Sequence, residues 1–219
     1  MRAKVQWRLL FFIIAGMPQL MIIEACANQS QRLGGESVEL RYGEEALERI
    51  SQWEALIRDN KDLPEIEKLN RVNYFFNQVR FLSDQKHWGK NDYWATPTGF
   101  LATNGGDCED FTIAKYFTLT KLGVVSDRLR LTYVKALKPN PVSQSHMVLT
   151  YFSTPDAEPL VLDNLVKQIR PAHMRKDLVP VYSFNGEGLW LSKERGQGRF
   201  VGSSSRLSRW KDLLKRMRK

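Results

Sequence analysis

The sequence predicts an α+β fold, and three observations carry that prediction. Apolar residues recur at helical spacing in three segments before Gly123, over 46–57, 66–79 and 111–122. From Leu129 onward short β-rich runs alternate with turn clusters. Between the two lies one helix opened by Gly105-Gly106-Asp107 and closed by Gly123, which gives the strands a partner to pack on. At 219 residues and 42% hydrophobic, the chain has the makings of one globular domain with a proper core, or at most two small lobes, and not of a disordered chain.

Residues 1–27 read as a secretory signal. Arg2, Lys4 and Arg8 precede an apolar run over 9–23, and Ala25-Cys26-Ala27 fits a small-x-small cleavage site. An uncleaved membrane anchor is one alternative, but the run is short for a spanning helix and is broken by Pro18 and Gln19, and no stable membrane insertion is expected after cleavage. Lipid attachment at Cys26 is the other alternative, with Glu24 an awkward neighbour for it. Cleavage leaves residues 28–219 as a single domain. It also removes Arg2, Lys4, Arg8 and Glu24, so the formal charge of +9 changes by −3 + 1, to +7. Nucleic acid is an implausible partner for an exported chain, which leaves a solvated basic face or a docking surface for an acidic partner.

Ala46, Leu47, Ile50, Trp53, Leu56 and Ile57 trace one face of a first helix. After the break at 59–64, Ile66, Leu69, Val72, Phe76 and Val79 predict a second, running to about Phe81. Residues 83–104 are irregular and aromatic, with His87, Trp88, Tyr93, Trp94 and Phe100 either packing under the next helix or lining a cleft beside it. In that next helix Phe111, Ala114, Phe117 and Leu122 share a face, and Cys108 falls in the first turn. The strands expected are Leu129–Tyr133, 146–152, 160–165, 179–184, 189–192 and 199–201, separated by turns at 138–141, 154–156, Asn185-Gly186 and 196–198. A meander of successive antiparallel strands is the expected topology, and 167–176 has no clear pattern. Residues 206–219 predict a basic amphipathic helix, with Leu207, Trp210, Leu213, Leu214 and Met217 on the face that docks.

Cys108 is either a small buried hydrophobe or a nucleophile. Its place at a helix start favours a thiolate, because the unpaired N–H groups and the positive end of the helix dipole point at it and at any oxyanion formed beside it. Loss of Cys26 would leave it unpaired in a compartment where structural cysteines pair, which favours reactivity. A thiol nucleophile needs a base and a group that orients the base. Of three histidines, His87 lies in the aromatic segment, His173 in the patternless one, and His146 at the start of a strand expected to face the Cys108 helix. The next strand ends in Asp163. Taken singly, His146 reads equally as an ordinary strand-end histidine and Asp163 as a turn residue; together they give the order Cys108, His146, Asp163.

Asp107, Glu109 and Asp110 flank the thiol and disfavour its ionisation. Helix capping explains one or two of them. A divalent cation, calcium by its preference for oxygen ligands, explains all three.

The run Asp92-Tyr93-Trp94-Ala95-Thr96-Pro97, then Gly106-Asp107-Cys108-Glu109-Asp110-Phe111 with Ala114-Lys115-Tyr116-Phe117, and later His146-Met147 and Leu162-Asp163-Asn164, resembles the bacterial transglutaminase-like cysteine proteinases. The resemblance spans most of the chain after the signal. It implies a papain-like, transglutaminase-type fold and a periplasmic endopeptidase with a Cys108-His146-Asp163 triad. It also implies calcium bound through Asp107, Glu109 and Asp110. The substrate it implies is a large surface adhesin, cut near its N-terminus so that a biofilm cell is released. The partner it implies is the periplasmic domain of an inner-membrane cyclic-di-GMP receptor that restrains the protease. The basic C-terminal helix is not a feature of that resemblance. Other thiol acyl transfer, transglutaminase-like, uses the same three groups, and a binding module with a vestigial triad is the non-enzymatic alternative.

Overall fold

The computed structural model describes residues 41–137, 143–191 and 198–218. The signal segment, the expected turn at 138–141 and part of that at 196–198 lie outside the described residues. Among the described residues no helix is long and apolar enough to cross a membrane.

Helix α1 (Glu44–Asp59) buries Ala46, Ile50 and Trp53, and α2 (Glu65–Phe76) buries Leu69, Val72 and Phe76. The second helix stops five residues short of its expected end. Asn77 caps it, and Arg80–Phe81 instead forms a short strand β1 that pairs in parallel with β2 (Gly105–Gly106). Leu82 extends the bridge by donating to the Gly106 carbonyl at 2.9 Å. Backbone pairing thus takes the place of one more helical turn, and it fixes the loop that leads into the thiol.

Two short helices, α3 (Asp84–His87) and α4 (Pro97–Thr103), order the aromatic segment. Thr96 caps α4 by accepting from the Gly99 amide, and Asn104 ends it in the left-handed region at φ 50°. Trp94 and Phe100 are buried: Trp94 stacks on Phe184, and Phe100 meets Phe111 edge to face. For Phe100, packing under the next helix is the reading that holds, while Trp94 packs on Phe184 instead.

That helix, α5 (Cys108–Lys121), is buried on nearly every side and has no polar face. Its polar residues serve as ties to other elements. Thr118 accepts from the Trp53 indole at 2.8 Å, and Thr112 donates to the Met147 carbonyl at 3.1 Å. The chain leaves α5 through Gly123 at φ 88°, a conformation that costs a glycine little.

Seven strands form the main sheet: β3 (Leu129–Leu137), β4 (Ser143–Tyr151), β5 (Leu160–Leu162), β6 (Arg170–Pro171), β7 (Leu178–Phe184), β8 (Leu189–Leu191) and β9 (Arg199–Gly202). All pairings are antiparallel, as expected, but the order is β6-β5-β4-β3-β7-β8-β9, which is not a plain meander. After β6 a 3-10 turn (Ala172–Met174) carries the chain back, and β7 pairs with the free edge of β3, whose Leu137 amide donates to the Asp177 carbonyl at 2.7 Å. Ala172 and Leu178 pack on Val134, Val148 and Val161, so the return path covers an apolar patch that a meander would leave open. β5 ends three residues early because Asp163 accepts from the Leu165 amide at 3.0 Å and turns the chain.

Helix α6 (Ser208–Met217) docks on its own domain, as expected. Trp210 and Leu213 are buried, and Trp210 stacks on Phe117 with ring centroids 5.5 Å apart. Arg216 reaches the Trp94 carbonyl at 2.6 Å and the Tyr93 hydroxyl at 3.0 Å, tying α6 to the segment that precedes α4.

Candidate active site

Asp107 caps α5 by accepting from the Glu109 amide at 3.2 Å, which puts Cys108 at the first helical position, half-buried. The Thr112–Met147 bond lays this end of α5 against β4, and the Met147 backbone amide lies against the sulfur. His146 is the preceding residue on that strand. Its Nε2 is 2.8 Å from Oδ1 of Asp163, and both side chains are buried. The structure therefore joins His146 to Asp163 and lays the strand that carries His146 against the Cys108 end of α5. The other two histidines are elsewhere: His87 bonds Thr103 at 2.8 Å, and His173 pairs with Glu158 on the surface.

Asp163 is held more completely than its sequence suggests. Oδ2 accepts from Arg175 Nη2 at 2.7 Å, while Oδ1 takes His146 and the Leu165 amide. Burial pushes the Asp163 carboxyl up, but His146, the Leu165 amide and Arg175 outweigh it and hold the group well below the usual carboxylate range. Arg175 is itself buried and shared with Asp177, at 2.9 and 2.8 Å. It comes from the segment without a sequence pattern, and nothing in that segment marks it.

The acidic residues divide into two groups. Glu109 turns to the thiol: Cys108 Sγ donates to Oε2 at 2.7 Å, and the Tyr133 hydroxyl donates to Oε1 at 3.0 Å. Burial, then the Glu109 charge and hydrogen bond, push the Cys108 thiol well above its ordinary range, against the Met147 amide. Among the described residues the thiol's side-chain hydrogen bond is thus to Glu109 and not to His146.

Asp107 and Asp110 converge with Asp84, an acid the sequence did not single out, so that one oxygen of each lies within 4.8 Å of the others. Asp110 Oδ1 accepts from the Ala95 amide at 2.7 Å and Asp84 Oδ2 from the Tyr93 amide at 2.5 Å. Asp110 Oδ2 and Asp84 Oδ1 are buried with no hydrogen-bond partner. Burial raises Asp84; burial and the neighbouring carboxylates push Asp107 up to about 9, and burial raises Asp110 to about 7 against the Ala95 amide. Gly106 makes the approach possible, since a Cβ there would lie 2.3 Å from Asp110 Oδ2. Buried, orphaned carboxylate oxygens sharing one spot are the donor set of a hard cation. Asp107 and Glu109 also converge with the Cys108 sulfur, so Glu109 borders the same spot.

No curated protein matches the chain significantly. A family model described as bacterial transglutaminase-like cysteine proteinase matches residues 44–190. Among solved structures, Legionella pneumophila LapG is 44% identical over 87% of this chain and 96% of its own, with a TM-score of 0.73. An EGTA-treated form of the same protein is 45% identical over 87% and 96%, at 0.74, and a calcium-bound form 44% over 86% and 98%, at 0.72. With a family match over most of its length, a relative 44% identical, a thiol at a helix start and a buried histidine–aspartate pair, the chain belongs to the bacterial transglutaminase-like cysteine proteinases.

Proposed function

We propose that this cysteine peptidase is an exported, calcium-dependent endopeptidase in which Cys108 is the nucleophile, His146 the base and Asp163 the orienting acid. The observation that carries the reading is the buried pairing of His146 with Asp163, with His146 on β4 immediately before the residue whose amide meets the Cys108 sulfur. With Nε2 engaged by Asp163, Nδ1 is the ring nitrogen left to take the thiol proton. The thiolate attacks the peptide carbonyl, and the amides of the first turn of α5 face the oxyanion. His146 returns its proton to the leaving amine, which frees the new N-terminus. Water, deprotonated by the same ring, then releases the acyl group and restores the thiol.

Asp84, Asp107 and Asp110 would hold the calcium, with Glu109 the further candidate at its edge. When bound, calcium would supply positive charge beside the thiol and tie α3, which carries Asp84, to the start of α5, which carries Asp107 and Asp110. The two unpartnered carboxylate oxygens support this, as does the existence of calcium-bound and EGTA-treated forms of a relative 44% identical.

The site of action in this reading is the periplasm, supported by the signal-like residues 1–27. The substrate is the N-terminal region of a large surface adhesin, whose cleavage releases the cell from a biofilm. The restraining partner is the periplasmic domain of a cyclic-di-GMP receptor. Support for both is the family resemblance. The test is incubation of residues 28–219 with N-terminal fragments of co-encoded adhesins, with calcium and an added amine, followed by mass spectrometry. Two hydrolytic fragments are expected. An amine-capped product would make the chain an acyl transferase, and an intact substrate would remove the adhesin.

A further inference from the structure

Asp163 is gripped by its backbone as well as by its carboxylate. Lys115, two turns after Cys108 on α5, is 1% exposed. Its Nζ donates to Asn77 Oδ1 at 2.8 Å and to the Asp163 carbonyl at 3.1 Å, and it faces the Phe111 ring at 5.9 Å. Asn77, the C-cap of α2, donates from Nδ2 to the same carbonyl at 2.9 Å. That oxygen lies just past the end of β5, and these two donors use both its lone pairs. Among the described residues, no carboxylate is hydrogen-bonded to the amine. Burial pushes the Lys115 amine down to about 7, with the Asp163 charge opposing. An amine is a costly filling for a core position where methionine would fit. What it does here is join the nucleophile helix, the cap of α2 and the peptide of Asp163 at one point.

We propose that Lys115, together with Asn77, is a positioning residue of the reaction: it registers the Asp163 peptide to α5, so that His146, held by the Asp163 carboxylate, stays aimed at Cys108. This rests on the Cys108-His146-Asp163 reading given above. A misplacement of about 1 Å at such a distance from the reacting atoms is enough to cost on the order of 100-fold.

The test is a double-mutant cycle on the rate of Cys108 alkylation by iodoacetamide, at neutral pH with calcium, in residues 28–219. Lys115→Met is expected to slow alkylation about tenfold or more. In an Asp163→Asn background it should add less than about twofold, because the group it positions is already lost. Equal losses in both backgrounds, or no loss in the parent, would overturn the proposal and leave Lys115 a structural residue. If Asp163→Asn itself alkylates at the parent rate, the triad reading fails first and this inference goes with it. Should Lys115→Met not fold, Asn77→Ala removes the other half of the junction and decides by the same cycle.

Discussion

Arg175 donates from Nη2 to Oδ2 of Asp163 across 2.7 Å, and neither side chain is more than 3% exposed. The carboxylate that bonds His146 through one oxygen is therefore held on the other by a permanent cation. Arg175→Met should leave Asp163 buried with one partner fewer, at a cost of about 3–5 kcal/mol in stability. Thermal unfolding measures this, and a loss under about 1 kcal/mol would show that the contact matters little.

The histidines give a sharper comparison. His146→Ala should lower proteolysis by about as much as Cys108→Ala does, and Asp163→Asn by somewhat less, since the members of a triad act as a unit. His87→Ala and His173→Ala should cleave at close to the parent rate, because their rings bond Thr103 and Glu158. An essential His87 or His173 would move the base elsewhere.

Calcium should bind through Asp84 as much as through the acids next to the thiol. Asp84→Asn and Asp110→Asn should each weaken calcium binding about tenfold or more in calorimetry, with the fold retained. Magnesium should substitute poorly, given its tight octahedral shell and reluctance to lose water. Unchanged affinity in Asp84→Asn would place the ion against Glu109 instead.

Affinity for calcium should rise with pH. Asp107 and Asp110 are held up to about 9 and about 7, so they keep protons that a cation has to displace. Without calcium the folded chain binds more of these protons than the unfolded chain, so this contribution to stability falls as pH rises toward 9. Calcium should consequently raise Tm more at about pH 8 than at about pH 6, and its binding should release protons between them. A pH-independent affinity would contradict the shared carboxylate site.

Much of this was legible from residue patterns. Helical spacing located α1, α5 and α6, and β-rich runs between turn clusters located β3, β4, β5, β7, β8 and β9, whereas the two-residue strands β1, β2 and β6 are too short to leave a pattern. The early end of α2 was not legible, since Val79 kept the helical period while the backbone of Arg80 and Phe81 paired with Gly105 and Gly106. Nor was the return of β7 to β3, which follows from apolar cover supplied by Ala172 and Leu178. In the site, Cys108, His146 and Asp163 stood out by residue type and element order. Asp84, Asn77 and Arg175 did not, and Lys115 stood in a matching run with no role attached to it, because each acts through a contact at least 12 residues away in sequence.

The central claim is that His146 and calcium together turn a suppressed thiol into a nucleophile. The most direct measurement is the rate of Cys108 alkylation against pH, for the parent and for His146→Ala, each with calcium and with a chelator. The account predicts fast alkylation well below the ordinary thiol range only in the parent with calcium, and a profile displaced to high pH in the other three. Four superimposable profiles would contradict it.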